Sequence, residues 1–87
     1  MKVFYTESFK KGFQRLPKEI QYLAGQKLAF FVANPRHPSL GVKKMEGTKD
    51  IWEARITRNY RFTFNFEDGM AVLRCVGTHP ILRKEKS

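Results

Sequence analysis

The chain has 87 residues, of which 41% are hydrophobic, so it has room for one small domain with a single core over residues 1–87. Its 17 lysines and arginines against 8 acidic residues give a net charge of +9, which favours nucleic acid, an acidic protein or an anionic membrane as partner. No segment approaches the ~18 apolar residues that span a bilayer, no signal peptide is recognisable, and the single Cys75 cannot form an internal disulfide. We therefore expect a cytoplasmic protein without a membrane anchor.

The N-terminal part of the sequence predicts one strand followed by two helices. Residues 2–6 alternate like a short strand and end in a Thr-Glu-Ser cluster suited to a helix start. Apolar residues recur at helical spacing over residues 9–16, where Pro17 ends the first helix and begins the second. The Asn-Pro pair at residues 34–35 ends the second helix. Its apolar stripe consists of Ile20, Leu23, Ala24, Leu28 and Phe31.

A polar stretch over residues 36–50 is longer than an ordinary connection and leads into a region of strand alternation at 51–80. The alternation predicts a three-stranded antiparallel sheet with an apolar face and a basic face. The apolar set includes Trp52, Phe62, Phe64 and Phe66, which we interpret as core residues rather than as a base-stacking platform, because the helices must cover that face. The final residues, 83–87, are charged and are expected to be mobile.

Turn chemistry predicts the strand register. An Asp-Gly pair at 68–69 favours a tight type I′ hairpin, which sets Phe62 opposite Cys75 in the core and Thr63 opposite Arg74. In the preceding hairpin, a three-residue loop with Asn59 in the left-handed conformation keeps the two faces separate.

That three-residue loop places Arg55 directly opposite Arg61. Such a like-charge pair is unfavourable unless an anion or an acidic group lies nearby. Removal of either arginine is therefore expected to be neutral or stabilising for the isolated fold.

Basic side chains collect on the sheet face that the helices leave open. Each of them alone is most simply a solvated surface charge. Together they predict an anion site, because guanidinium groups bind phosphate oxygens in a bidentate manner. The group consists of Arg55, Arg61 and Arg74 on the strands, Arg58 in the adjacent turn, and Lys43, Lys44 and Lys49 in the preceding loop.

His79 is the candidate proton donor. It follows the last predicted strand in a Gly-Thr-His-Pro segment, and a phosphate bound by the neighbouring arginines would favour its protonated form. His37, in a loop between an arginine and a proline, is interpreted as a solvated side chain. The sequence contains no metal-ligand cluster, no glycine-rich phosphate loop and no serine nucleophile motif, so we expect neither a metal nor a cofactor.

The order of predicted elements and three segments together resemble the RelE/ParE superfamily of toxins, which belong to toxin–antitoxin pairs. The segments are Lys-Lys-Met-Glu-Gly at 43–47, Trp-Glu-Ala-Arg-Ile-Thr-Arg-Asn-Tyr-Arg-Phe-Thr-Phe at 52–64, and Val-Gly-Thr-His-Pro-Ile-Leu-Arg at 76–83. The resemblance implies an α+β fold with the order β-α-α-β-β-β and both helices on one face of an antiparallel sheet. It also implies a cognate antitoxin, whose acidic segment would bind the basic face.

For the RelE, YoeB and YafQ branch, the resemblance implies a metal-independent endoribonuclease that cleaves mRNA on the ribosome by 2′-hydroxyl attack on the adjacent phosphate. Arg61, helped by Arg55, would stabilise the transition state, and His79 would protonate the leaving group. The general base has no clear counterpart, because Glu46 aligns poorly with the glutamate proposed for that role. The residues expected to hold the RNA are Lys43, Lys44, Arg58, Arg74 and Arg83.

Two other functions are compatible with the sequence. The ParE branch implies an inhibitor of DNA gyrase that has no catalytic residue. In the second alternative, the chain is a non-catalytic module whose basic face binds an acidic, antitoxin-like partner.

Overall fold

The computed structural model describes residues 1–86, with side chains for all of them except Lys84 and Lys86. The strands form one sheet in the order β1-β5-β4-β3-β2, in which β1 is parallel to β5 and the other pairs are antiparallel. The elements are β1 (Val3–Tyr5), α1 (Glu7–Gln14), α2 (Lys18–Ala33), a 3₁₀ helix (Pro38–Leu40), β2 (Lys43–Lys44), β3 (Trp52–Arg55), β4 (Tyr60–Glu67), β5 (Met70–Thr78) and α3 (Pro80–Lys86).

The predicted α+β fold is confirmed, with a mixed sheet instead of a purely antiparallel one because the N-terminal strand joins it in parallel. Thr6 makes this junction. Its hydroxyl accepts a hydrogen bond from the backbone N–H of Phe9 at 3.1 Å and donates one to the carbonyl of Leu73 at 2.8 Å. The N-cap of α1 is therefore tied directly to the central part of β5.

Helices α1 and α2 cover one face of the sheet, as predicted. The ring of Phe31 packs edge-on against Phe62 and Phe64, with ring centroids 5.4 and 4.7 Å apart. All three side chains are fully buried. Phe62 and Phe64 of β4 are therefore core, as predicted, whereas the prediction is wrong for Phe66, which is 47% exposed near the end of the strand. The opposite surface of the sheet, which we call the polar face, is the one that α1 and α2 leave uncovered.

The predicted register of the last hairpin is wrong beyond its middle, because β5 contains a β-bulge. Thr63 lies opposite Cys75 and Phe62 lies opposite Val76, so that Arg74 is an extra residue in β5. One extra residue reverses the alternation of the strand. Val76, at 5% exposure, therefore occupies the core position that was expected for Cys75, which is only half-buried.

The hairpin between β3 and β4 has the predicted pairing of Arg55 with Arg61. The expectation of a left-handed Asn59 is wrong, because among the described non-glycine residues positive φ occurs at Asp68, with φ 52°. The loop is held instead by the hydroxyl of Thr57, which accepts hydrogen bonds from the backbone N–H groups of Asn59 at 3.3 Å and Tyr60 at 3.2 Å.

The C-terminal segment forms a helix, so the expectation of a mobile tail is wrong through Lys86, while Ser87 lies outside the described residues. Helix α3 packs on the polar face, where Glu85 bonds to side chains of β4 and β5. The fold thus has helices on both faces of its sheet. No helix within residues 1–86 is long and apolar enough to cross a membrane.

Gly12 lets α1 approach β5 closely, and its replacement tests this packing. A Cβ at Gly12 would lie 2.7 Å from the carbonyl oxygen of Val76. Gly12→Ala is expected to lower the free energy of unfolding by about 1–3 kcal/mol, because the overlap outweighs the better helix propensity of alanine. The control is Gly25→Ala on α2, where a Cβ meets no atom within 4 Å. It should raise stability by about 0.5–1 kcal/mol in urea unfolding; equal stabilisation by both changes would contradict the close approach.

Candidate functional site

The polar face carries its charged residues in two adjacent rows across the strands. In the first row, Arg55 on β3 lies opposite Arg61 on β4, and Gly77 on β5 continues the row. In the second row, Lys43, Glu53 and Thr63 lie opposite one another on β2, β3 and β4, and Arg74 follows at the bulge of β5. The arginines of the strands therefore share this face, as the alternation predicted.

The two paired arginines direct their guanidinium groups to different neighbours. Arg61 donates to the Oε1 atom of Glu53 at 3.2 Å, diagonally across the two strands. The guanidinium of Arg55 packs instead against Gly41. A Cβ atom built on that glycine would lie 3.6 Å from the Nη2 atom of Arg55. The repulsion expected between the two arginines is therefore relieved by an acidic neighbour of Arg61.

Glu53 is the residue of this site to which the sequence analysis gave no role. Its side chain is only 8% exposed, and that of Arg61 is 21% exposed. A carboxylate this deeply buried requires a charged or hydrogen-bonded partner. A signal was present in the sequence, because Glu53 alternates with Ala54 onto the same face as Arg55 and is a diagonal neighbour of Arg61.

An open groove at the end of the sheet brings Arg58, Arg61 and His79 together. Its volume is about 550 Å³. His79 is exposed between β5 and α3, and its carbonyl accepts a hydrogen bond from the backbone N–H of Leu82 at 3.0 Å. The complete lining is Arg58, Asn59, Tyr60, Arg61, Thr78, His79 and Pro80. A guanidinium pair and an imidazole around one groove can bind an oxyanion and supply a proton to it.

The two predicted lysines lie in a separate cleft of about 220 Å³ that also contains Glu53. Lys43 and Lys44 are exposed on the edge strand β2. Leu82 lines this cleft, whereas Pro80 lines the groove, so α3 lies between the two depressions. Arg83 is exposed on α3. The structure thus gathers Arg58, Arg61 and His79 into one groove and leaves the two lysines beyond α3.

Arg74, predicted to bind RNA, is engaged by the chain itself. Its Nε donates to Oε1 and Oε2 of Glu85 at 3.0 and 2.9 Å, and Thr63 Oγ1 donates to Oε2 at 2.7 Å. The hydrogen bond from Arg74 to Glu85 raises the pKa of the guanidinium above its usual value. The Nη1 atom of Arg74 also donates to Oδ1 of Asn65 at 3.3 Å. Among the described residues, no cluster of three His, Cys, Asp or Glu side chains is arranged to hold a metal ion.

The diagonal pair changes what is expected of the two arginines in a folding experiment. Arg61→Ala leaves the buried Glu53 carboxylate without its partner and should lower the free energy of unfolding by about 1–3 kcal/mol. Arg55→Ala, the matched control from the same cross-strand pair, removes an exposed side chain and should stay within about 0.5 kcal/mol of the parent. Urea unfolding measures both. Glu53→Gln should restore part of the loss in the Arg61→Ala chain; equal effects of the two arginine changes would show that Glu53 does not depend on Arg61.

Comparison with known proteins identifies the fold and not a sequence family. No protein-family model matches the chain, and no curated protein sequence matches it. Solved structures do match over nearly the whole chain. A chain of the RelB–RelE antitoxin–toxin complex from Methanococcus jannaschii has a TM-score of 0.77 and 18% identity, covering 94% of this chain and 96% of that one.

Two further structures agree with it. YafQ from E. coli strain BL21(DE3) has a TM-score of 0.76 and 14% identity, covering 92% of this chain and 94% of that one. A YoeB/ParE toxin from Agrobacterium tumefaciens has a TM-score of 0.74 and 19% identity, covering 91% and 99%. At such identities the similarity concerns three-dimensional structure. The chain therefore has the fold of the RelE-, YoeB- and YafQ-like toxins.

Proposed function

We propose that this chain is the toxin of a toxin–antitoxin pair and that it cleaves mRNA on the ribosome as a metal-independent endoribonuclease. The observation that carries the proposal is the groove shared by Arg58, Arg61 and His79. These residues come from the β3–β4 loop, from β4 and from the end of β5. A fold shared with RelE, YoeB and YafQ toxins supports the same assignment.

In the proposed reaction the 2′-hydroxyl of one nucleotide loses its proton to water as its oxygen attacks the adjacent phosphorus. The bond from phosphorus to the 5′-oxygen of the next nucleotide breaks, which leaves a 2′,3′-cyclic phosphate. Arg61 binds the non-bridging oxygens, on which negative charge increases in the transition state. His79 donates a proton to the departing 5′-oxygen. Arg58 holds the RNA backbone at the mouth of the groove, and Arg55 adds positive charge beside Arg61.

Glu53 serves as a positioning residue in this scheme. Its carboxylate holds the guanidinium of Arg61 at 3.2 Å and so restricts the direction in which the remaining N–H groups point. A fixed guanidinium stabilises a transition state better than a freely rotating one, because it needs no reorganisation when charge develops. Lys43 and Lys44 lie outside the groove and would contact the RNA beyond the cleaved bond.

The proposed partner is an antitoxin that covers the polar face with an acidic segment. A net charge of +9 favours such a segment. One structure of the same fold is described as a RelB–RelE antitoxin–toxin complex, and another as an archaeal RelE–RelB complex from Pyrococcus horikoshii OT3. An acidic segment on this face would neutralise the arginines and exclude RNA from the groove.

Replacement of His79 separates a nuclease from a gyrase inhibitor. His79→Ala should leave folding and RNA binding nearly unchanged, because the side chain is exposed and the arginines bind phosphate, whereas cleavage should fall by about 10²–10⁴-fold. RNA ends mapped on translating ribosomes give the cleavage rate, and DNA supercoiling is assayed in parallel. His37, which was expected to be solvated, is half-buried and stacks on Phe30 with ring centroids 4.4 Å apart. His37→Ala removes this histidine outside the groove and should retain cleavage. Equal growth arrest by both variants, with intact messages and impaired supercoiling, would identify a gyrase inhibitor instead.

The affinity for the antitoxin should fall as the salt concentration rises. Attraction between an acidic segment and the arginines is screened by ions, with a Debye length of about 10 Å at 0.1 M salt. Titrating the purified pair at increasing ionic strength measures the effect. Arg61→Ala should make the salt dependence shallower, and Lys18→Ala, a control on α2 at the other side of the sheet, should change it little. An affinity independent of salt would show an apolar interface.

A further inference from the structure

A carboxylate of the C-terminal helix fills a basic site on the polar face. Both oxygens of Glu85 lie within 3.0 Å of Nε of Arg74, and one of them also accepts the hydroxyl of Thr63 at 2.7 Å. The side chain of Glu85 is only 5% exposed, although it stands near the end of the chain. A glutamate held this deeply by two donors occupies a formed anion site, in contrast to an ion pair at the surface.

The donors of this site match the oxygens of a phosphodiester. A guanidinium N–H and a neighbouring hydroxyl are directed at two oxygens that share one central atom, which describes a carboxylate and equally the non-bridging oxygens of a phosphate. The bond from Nη1 of Arg74 to Asn65 at 3.3 Å orients the guanidinium plane independently of Glu85. This bond remains available to Arg74 when Glu85 leaves.

The position of the site relative to the groove suits a continuous RNA strand. Thr63 follows Arg61 by two residues on β4, so the two side chains share a face at a distance of about 7 Å along the strand. Neighbouring phosphates of an extended nucleic-acid strand are separated by a similar span. A strand whose scissile phosphate lies at Arg61 thus brings its next phosphate to Thr63 and Arg74.

We propose that Arg74 and Thr63 form a second phosphate subsite for RNA, which Glu85 fills in the free chain as an intramolecular competitor. The inference rests on the proposed function and identifies where its substrate is held beyond the cleaved bond. Because α3 begins directly after His79, entry of a phosphate at this subsite displaces the helix that borders the groove. RNA binding is therefore coupled to the segment that carries the proton donor.

Helix α3 is suited to this exchange because it is short. With seven residues it is far shorter than the ~12–15 residues that give even marginal stability to an isolated helix, so it depends on its contacts with the sheet. Those contacts include Ile81, which packs at Gly77, and Leu82, which enters the lysine cleft. Loss of the Glu85 bonds removes the most buried of its polar anchors.

The test is a double-mutant cycle on RNA affinity. The probe is a short fluorescein-labelled, 2′-O-methylated oligouridine, which lacks the attacking hydroxyl and is not cleaved, and binding is followed by fluorescence anisotropy. Glu85→Gln should bind it about tenfold more tightly than the parent, because Arg74 becomes free for a charge-assisted contact. The slope of log affinity against log salt should steepen by about 0.7, the value for one added phosphate contact on a single strand.

The control is Glu19→Gln on α2, which makes the same change in net charge on the other side of the sheet. It should change RNA affinity by less than about twofold. In a chain that already carries Arg74→Gln, the further change Glu85→Gln should alter RNA affinity no more than Glu19→Gln does. Amide hydrogen exchange of α3, measured on the same proteins, should become faster in Glu85→Gln and should leave β4 protected, which verifies that the sheet is intact.

The outcomes separate this subsite from the proposed nuclease activity. If Glu85→Gln matches Glu19→Gln, or if its effect persists without Arg74, the subsite is wrong even where His79-dependent cleavage is seen. If the cycle behaves as expected while no message is cut, the subsite stands and the nuclease proposal is wrong. Unchanged RNA affinity with tighter binding of a polyglutamate peptide would assign the site to a protein carboxylate and overturn the phosphate assignment.

Discussion

The packing of Phe31 between Phe62 and Phe64 determines which side of the sheet is left for ligands. Successive residues of a strand point to opposite faces of the sheet. Because the two phenylalanines are buried under α2, the residues that alternate with them, Arg61, Thr63 and Asn65, must lie on the polar face. The chemistry of the site is therefore a consequence of core packing. A strand of eight residues, β4, supplies both the centre of the core and the centre of the candidate site.

Two carboxylates make this concentration of positive charge compatible with a stable fold. Glu53 neutralises Arg61 from within the sheet, and Glu85 neutralises Arg74 from above it. The two differ in how readily they can leave. Glu53 is part of β3 and is fixed beside its arginine, whereas Glu85 belongs to the seven-residue helix α3, which lies on the sheet and is not part of it. The first pair fixes the guanidinium of Arg61, and the second occupies that of Arg74.

Much of the fold follows from the sequence because its signals are local. Pro17 and the 34–35 pair bound α2, the Asp-Gly turn sets the last hairpin, and the three-residue loop pairs Arg55 with Arg61. Two features were not predictable in the same way. The bulge at Arg74 brings Val76 into the core and leaves Arg74 beside Glu85, and α3 is too short to be stable without its contacts with the sheet. Non-local contacts therefore decide both.

The same distinction applies to the candidate site. Alternation alone assigned the arginines to one face, and the Gly-Thr-His-Pro segment pointed to His79, which the structure places in one groove with Arg58 and Arg61. Where a long side chain points is a different question, since it depends on the groups that the fold brings nearest to it. Arg61 turns to Glu53, Arg74 turns to Glu85, and Arg55 turns to Gly41. A sequence pattern gives the position of a Cα atom on a face but not the direction of a guanidinium four bonds away.

The parallel pairing of β1 with β5 has a consequence for the order in which the chain folds. Val3 is joined to Ala71 across nearly the whole length of the sequence, and Thr6 is bonded to Leu73. Closing so long a loop is slow, and during synthesis it cannot begin until the last strand has left the ribosomal exit tunnel. Arg61 and His79 meet at that same late stage. The groove is therefore assembled only when β5 has paired with β4.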